Sequence, residues 1–236
     1  MNIIIFGATS GIGRALAEIY ARKGHRLIIT GRRENLLKEI QSLFPGKVEI
    51  RRHDVRDYED TRKFFTELSE RNDPVDLIIY SSGTGMPNYE LEWETEKNII
   101  ETNVMGAVQV FTCAWRLFKR QGYGHLAAIS SVAGVRGNRH VPAYFASKAF
   151  LNNYLESLWM KGRRSQADIY VTDIIPGFVD TNLALGKTFW MAPVEKAAAQ
   201  IHRAIAKKKK KAYITKRWRL VAILLRLVPA RWILKI

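Results

Sequence analysis

The chain predicts an α/β fold, a single doubly wound domain on a parallel sheet, and three observations carry that expectation. Short Ile/Val/Leu-rich runs alternate with segments of helical character, the pattern of successive βαβ units. Runs such as Ile3-Ile4-Ile5 and Leu77-Ile78-Ile79 are apolar at consecutive positions, as strands covered by helices on both faces are. Finally, a glycine-rich turn, Gly7-Ala8-Thr9-Ser10-Gly11-Ile12-Gly13, directly follows the first run and leads into a helical stretch from Arg14 to Lys23.

Taken in order, strands are expected at Asn2 to Phe6, Arg26 to Thr30, Val48 to Arg52, Val75 to Tyr80, His125 to Ile129 and Ile169 to Ile175. A helix from Val194 to Ala206 and a short strand from Tyr213 to Thr215 complete a domain of residues 1–215, and residues 216–236 form a basic amphipathic extension. No Pro, Gly or Ser-rich linker divides the chain, and no repeat of fixed period occurs. With 236 residues, 47% of them hydrophobic and 25% charged, there is apolar material for a sizeable core, which excludes disorder as the main state. One cysteine, Cys113, excludes an intramolecular disulfide and a cysteine-held zinc, and no metal site is expected.

Lys and Arg outnumber Asp and Glu by 38 to 22, a formal charge of +16. Eleven of those cations lie between Lys207 and Ile236, where there is no acid, so the other 206 residues carry only +5. The excess suits an anionic partner. No nucleic-acid-reading module accompanies it, so nucleic acid is not expected as a partner. The five lysines from Lys207 to Lys211 read as the solvated end of a helix, where cations are favoured. The amino terminus lacks the charged start and long apolar stretch of a signal peptide, and no run reaches the roughly 18 to 20 apolar residues that span a bilayer. A cytoplasmic location is expected.

The glycine-rich turn between strand and helix marks a Rossmann-type nucleotide end: glycines permit the tight turn and the close approach of backbone amides to a pyrophosphate, and the helix N-terminus favours the anion. NAD-selective folds of this kind carry an acid about 20 residues further on, at the end of the second strand. Here that stretch is Thr30-Gly31-Arg32-Arg33, with no acid, and an arginine can pair with a 2′-phosphate. NADP(H) is the expected cofactor, with Arg32 the first contact and Arg33 the second. Asp54, after the third strand, is either an acceptor for an adenine amino group or a helix N-cap.

Tyr144-Phe145-Ala146-Ser147-Lys148 sets a phenol and an ammonium four residues apart in a helix-compatible stretch, so both project from one face. A nearby cation favours phenolate, so the lysine is expected to lower the phenol from its usual value near about 10 and make Tyr144 an acid and base.

With these motifs in sequence the chain resembles the short-chain dehydrogenase/reductases of the compact kind. The matching parts are Gly7, Gly11 and Gly13; Asn103 in Glu-Thr-Asn-Val; Ile129-Ser130-Ser131-Val132-Ala133-Gly134; Tyr144 and Lys148; and Pro176-Gly177-Phe178-Val179-Asp180-Thr181, in order over residues 1 to 181. The resemblance implies a catalytic set of Asn103, Ser131, Tyr144 and Lys148. Tyr144 would protonate a carbonyl oxygen as hydride arrives, or act as base in reverse, while Lys148 lowers its pKa and holds the nicotinamide ribose. Ser131, thirteen positions before Tyr144, would hydrogen-bond the substrate oxygen, leaving Ser130 a structural role. Asn103 would help to hold a water that relays protons through the lysine. The cofactor contacts implied are Gly7, Thr9, Ser10, Gly11, Ile12, Gly13, Arg32, Arg33, Asp54, Val55, Ser82, Gly83, Tyr144, Lys148, Pro176, Gly177, Val179 and Thr181, with Val179 and Thr181 on the carboxamide. Two departures stand out. Phe6 replaces the family's usual Thr, and Tyr80-Ser81-Ser82-Gly83 replaces Asn-Asn-Ala-Gly, which unsettles local hydrogen bonding near the cofactor.

In such proteins the loop after the Pro-Gly turn, here Asn182 to Met191, governs substrate choice. Its Thr188-Phe189-Trp190-Met191 segment suits a hydrophobic ligand or packs as a lid on its own domain. Beyond it, Leu220, Ile223, Leu224, Leu227 and Val228 fall on one side of a helix that starts near Trp218, with Arg219, Ala222 and Arg226 opposite. Such a helix either lies in an anionic membrane interface, with Trp232 and the lysine run adding to the attraction, or buries its apolar face on its own body or on a symmetry mate. The resemblance also extends to reductases of keto-sphingoid bases and lipid-linked keto-sugars, which share a hydrophobic, basic C-terminus. The expectation is an oxidoreductase for a lipid-like ketone, peripherally attached to the cytoplasmic face of a membrane. The alternatives are a reductase of small soluble ketones that assembles as a homodimer or homotetramer through its tail, and a nucleotide sensor or scaffold without turnover.

Overall fold

The computed structural model describes residues 1–71, 73–183 and 189–233. Seven strands, β1 (Asn2–Phe6), β2 (Arg26–Gly31), β3 (Val48–Arg52), β4 (Leu77–Tyr80), β5 (Tyr123–Ile129), β6 (Asp168–Pro176) and β7 (Lys211–Ile214), form one parallel sheet in the order β3-β2-β1-β4-β5-β6-β7. The helices between them are α1 (Gly11–Arg22), α2 (Glu34–Leu43), α3 (Tyr58–Glu70), α4 (Trp93–Ile100), α5 (Gly106–Gln121), α6 (Pro142–Arg163) and α7 (Val194–Ala206), followed by α8 (Trp218–Leu227) and the short α9 (Ala230–Ile233). Strand order reverses between β1 and β4, and in open α/β sheets the crevice at the C-terminal ends of such a pair is where ligands bind.

Alternate side chains of the central strands feed two cores. Ile3 and Ile5 of β1 join Leu16 and Tyr20 of α1 and Ile201 of α7 on one face, whereas Ile4 and Phe6 join Phe64 of α3, Phe111 of α5 and Leu151 of α6 on the other. The two departures from the family pattern meet here. Phe6 is fully buried, with its ring against His53, Phe64, Phe65 and Tyr80, and the Tyr80 hydroxyl donates to Thr102 O at 2.9 Å. An aromatic cluster thus fills the space that smaller polar residues would occupy, and the polar groups it buries are paired, the His53 ring with Asp60 and Thr61.

The first half of the lysine run is the solvated helix end expected, with Lys207 the C-cap of α7 and Lys207 to Lys209 exposed, and the second half is not. α7 stops at Ala206, and the run turns into β7, which begins at Lys211 rather than at Tyr213. Lys210 and Lys211 donate to the two oxygens of Glu156 on α6 at 2.8 and 3.0 Å. Lys208 stands 3.6 Å from the centroid of the Tyr170 ring and Lys210 3.9 Å from that of Trp159. The sequence shows the charge but not the acid and the rings, 38 to 55 positions away, that receive it.

α8 leaves the other end of β7. Trp218 and Ala222 are buried and Val221 and Leu225 half-buried, so a narrow stripe faces the body. Leu220, Ile223, Leu224 and Leu227, the apolar side expected from the periodicity, are 66, 46, 61 and 74% exposed. Packing of that face on the chain's own body is therefore excluded. Among the described residues no helix is long and apolar enough to cross a membrane.

Candidate active site

Four segments converge at the C-terminal ends of β1, β4, β5 and β6. From β1 comes the glycine-rich turn. Gly7 adopts φ +80°, and a Cβ there would stand 2.6 Å from Ser82 N; at Gly13 a Cβ would stand 2.1 Å from Gly7 O. Only glycine permits either approach. Ser10 is the N-cap of α1 without making a side-chain cap, and the first turn has no acid, so the leading amides of the helix are open to an anion. Thr9, Ile12 and Gly11 complete the turn, and a Cβ on Gly11 would meet the Thr181 methyl at 3.1 Å, which brings the Pro-Gly segment across to the turn.

The arginines divide their positions. Arg33 Nη2 donates to Thr9 Oγ1 at 2.6 Å and Ser10 Oγ at 2.9 Å, and so lies on the glycine-rich turn. Arg32 is exposed and acts by its charge on Asp54. Neither pairs with a carboxylate among the described residues. Asp54 accepts from Arg56 Nη2 at 2.7 Å and Nε at 3.1 Å, and that partner holds its carboxyl below the usual range. The N-cap of α3 is instead Asp57, which accepts from Asp60 N. Val55 backs the same region, its carbonyl 2.8 Å from where a Cβ on Gly106 would be.

Asn103 sits on a π-helical turn, Glu101–Met105, joining α4 to α5. Its buried carboxamide exchanges two hydrogen bonds of 2.8 Å with the backbone of Thr84 and donates to Ser147 Oγ at 3.0 Å. Both ends of the side chain are therefore engaged in clamping the loop after β4 to α6. A Cβ on Gly83 of that loop would stand 3.5 Å from both Asn103 Oδ1 and Lys148 Nζ, and Gly85 lies flat on the Tyr144 ring.

α6 starts on Pro142, which suits a first helical position, and Glu96 of α4 accepts from Ala143 N at 3.0 Å. The start of the helix is thus fixed one residue before Tyr144. Lys148, one turn on, is buried; its Nζ lies 5.7 Å from the Tyr144 ring centroid and donates to Ile129 O at 3.1 Å. Ser131 caps the 3-10 turn Val132–Val135, accepting from Ala133 N at 3.0 Å, and its hydroxyl acts on the Tyr144 phenol. Burial lowers Lys148 to about 8. It also raises Tyr144, with the Ser131 hydrogen bond opposing the rise. The sequence led us to expect a lowered phenol; in this fold desolvation outweighs a cation that is itself buried.

After β6, Gly177 N donates to Ile214 O at 2.7 Å, and a Cβ on Gly177 would stand 2.0 Å from the Trp218 indole. The glycine beside Pro176 is therefore what lets α8 sit down. Val179 is buried and bridges to Ala192, and Thr181 Oγ1 donates to Val179 O at 3.4 Å. Phe178, Phe189 and Trp190 surround Trp218 with centroids 5.3 to 6.3 Å away. Of the expected substrate segment Thr188 lies outside the described residues, whereas Phe189 and Trp190 remain exposed on their outer sides. Arg136, five residues after Ser131, donates to Leu225 O at 2.6 Å and to Val228 O, and so caps the C-terminus of α8.

Three groups in this site went unread in the sequence. Glu96 and Ser147 carry no local signal, since their partners lie 44 to 47 positions away. Asp173 did carry one: it is an acid inside the apolar run from Ile169 to Ile175.

The short chain dehydrogenase family profile matches residues 1–191. An uncharacterised oxidoreductase of Mycobacterium tuberculosis is 34% identical over 206 residues, 83% of this chain and 80% of that protein. A 3-oxoacyl-[acyl-carrier-protein] reductase of Mus musculus is 30% identical over 181 residues, covering 76% of this chain and 75% of its own. Among solved structures, the closed form of serine dehydrogenase complexed with NADP+ superposes with a TM-score of 0.81 at 23% identity, over 90% of this chain and 94% of that one. The chain belongs to the short-chain dehydrogenase/reductase family and is an oxidoreductase of that family.

Proposed function

We propose that the protein is an NADPH-dependent reductase that interconverts a ketone and a secondary alcohol on a hydrophobic, lipid-like substrate met at an anionic membrane surface. The observation that carries this reading is a juxtaposition at one end of the sheet: the buried Ser131 and Lys148 and the half-buried Tyr144 lie beside a helix whose apolar stripe faces water.

The nucleotide end fits a dinucleotide, because Gly7 and Gly13 stand where any Cβ would strike backbone and the leading amides of α1 are uncapped. Arg33 on the turn, with Arg32 beside it, supplies cations for a 2′-phosphate where an NAD-selective fold would carry an acid. A bound nicotinamide dinucleotide supplies hydride to the carbonyl carbon and takes it back in the reverse direction. Ser131 holds the carbonyl oxygen by its hydroxyl. Tyr144 donates its phenolic proton to that oxygen, and the resulting phenolate is stabilised by the Lys148 ammonium on the same helix face. Asn103 keeps the loop after β4 and α6 in register, and Val179 and Thr181 would hold the carboxamide of a bound cofactor.

The membrane reading draws on charge as well as shape. Residues 216–236 contain six cations and no acid, and Lys216, Arg217, Arg219 and Arg226 flank the exposed leucines. The lysine run does not join them. With Lys208 level with Tyr170, Lys211 opposite Asp173 and α8 starting beyond Pro176, the run lies about 10 to 20 Å down the sheet at ~3.3 Å per residue.

The test is NADPH and NADH consumption by the full chain with long-chain keto-lipids in anionic vesicles and with short soluble ketones in parallel. Turnover confined to NADPH and the keto-lipids is expected, and Arg33→Ala should raise the KM for NADPH about tenfold, the worth of one charge-assisted hydrogen bond. Equal use of NADH would overturn the cofactor assignment. Preference for short ketones, with a tail that drives dimer or tetramer formation, would overturn the lipid reading and leave the chemistry standing.

A further inference from the structure

Asp173 is almost wholly buried in β6 and has no part in the reading above. Its Oδ1 lies 2.5 Å from the Ser130 hydroxyl, and its Oδ2 is buried without a partner among the described residues. Ser130 Oγ is also 2.9 Å from Ile174 O. A serine has one hydroxyl proton, so it can donate to the carboxylate or to the carbonyl, but not to both. With Asp173 ionised, Ser130 donates to it. With Asp173 neutral, the carboxylic acid donates to Ser130 Oγ and Ser130 donates onward to Ile174 O. The network thus has two complete arrangements that differ by one proton.

The charges facing Asp173 decide between them. These are Lys148 and Glu156 on α6 and Lys211 on β7, with Ser130 from the segment after β5. Lys148 is buried, and its Nζ donates to the carbonyl of Ile129, the residue next to Ser130, with no carboxylate in hydrogen-bond contact among the described residues. A buried ammonium without a counter-ion gives up its proton. Asp173 is the acid whose charge opposes that loss, and burial brings Asp173 itself up to about 7.

We propose that Asp173 is a positioning residue of the reaction: its carboxylate, oriented by Ser130, is the buried counter-ion that keeps Lys148 protonated beside Tyr144. This rests on the assignment of Tyr144 as the acid and Lys148 as its cation. The consequence is a direction. Without Asp173, Lys148 loses its proton at lower pH, the phenolate formed in reduction loses its stabilising cation, and the basic limb of the rate profile moves down.

The experiment is a pH titration of the Lys148 side-chain nitrogen by NMR in the full-length protein, for the wild type and for Asp173→Asn, which keeps the shape and an acceptor for Ser130. The Lys148 midpoint is expected to fall by about one pH unit in the variant, a tenfold change in its ionisation constant. A carboxyl titration near neutrality should vanish with it. In parallel, the basic limb of kcat for reduction should move by the same amount, with KM for the ketone little changed. An unmoved Lys148 midpoint in folded Asp173→Asn overturns the proposal. Should that variant fail to fold, Ser130→Ala removes the donor that favours the carboxylate and must lower the Lys148 midpoint in the same direction; no shift there overturns it equally. Wild-type protein that shows the coupling but reduces no ketone would overturn the proposed reaction instead.

Discussion

The two ends of the sheet differ in which side chains they give to water. At the C-terminal ends, Asn103, Ser131, Lys148 and Asp173 are buried, while Met86, Leu91, Trp93, Phe189, Trp190 and the leucines of α8 are exposed on the segments that leave β4, β6 and β7. At the other end the arrangement is ordinary. Lys208 and Lys210 lie over aromatic rings and Lys210 and Lys211 against Glu156, and the buried His125 meets the Thr172 hydroxyl at 2.8 Å. Burying polar groups and exposing apolar ones works against stability, and a chain does both at one end only where something else is gained. The comparison therefore separates the working end of the molecule from the end that merely holds it together.

The sharpest way to break that contrast is to remove one polar atom from each end. Tyr144→Phe should lower kcat by about 10²- to 10⁴-fold, the usual worth of a positioned acid, without lowering the melting temperature, because the ring and its contact with Gly85 stay. Lys210→Gln at the other end should leave kcat unchanged. Ketone turnover under steady-state conditions, read beside thermal melts, checks both. Loss of activity in the second variant would show that the two ends are not independent.

Much of this was legible in the sequence, and the parts that were not share a cause. β1 to β6 stand close to where their Ile/Val/Leu runs place them, because a strand covered on both faces declares itself by composition. β7 starts two residues early, since Lys211 is not a residue whose side chain announces a strand. The motif residues reach one site because each is anchored to the end of a strand, to the start of α6 or, for Asn103, to the turn between α4 and α5. Direction is what the pattern omits. The periodicity of α8 groups Leu220, Ile223, Leu224 and Leu227 on one side but cannot say that Trp218, held against Gly177, turns that side outward. Likewise Asp173 is visible as an acid in an apolar run, but its meaning depends on Ser130, 43 positions away.

A smaller effect sharpens the contrast at the exposed face. Leu224→Glu combined with Leu227→Glu should lower partitioning onto anionic vesicles by at least about tenfold, since burying two leucines is worth about 3 kcal/mol or more. Replacing Lys207 and Lys209 with Gln should change it little, because the run lies at the far end of the sheet. Flotation of the full chain and of both variants reads this directly. Equal flotation by all three would mean that the leucines meet a protein surface instead, and sedimentation would then show the wild type heavier than the double glutamate variant.

The last effect belongs to the holding end and concerns pH. Burial, with the charge of Lys208 adding to it, lowers His125 to about 4. In the unfolded chain the imidazole takes its proton near the usual value of about 6.5. Between those values the unfolded state binds more protons than the folded one, so stability falls as the pH is lowered through that window and is unaffected by His125 above it. The loss by pH ~4 is on the order of 3 kcal/mol. His125→Asn should be less stable than the wild type at neutral pH, because its contact with Thr172 is altered, yet lose less on acidification. Urea unfolding of both proteins at pH 7 and near pH 4.5 measures the difference of differences. A parallel loss in the two proteins would mean that His125 is protonated in the folded state and that this end, too, keeps a charge in its interior.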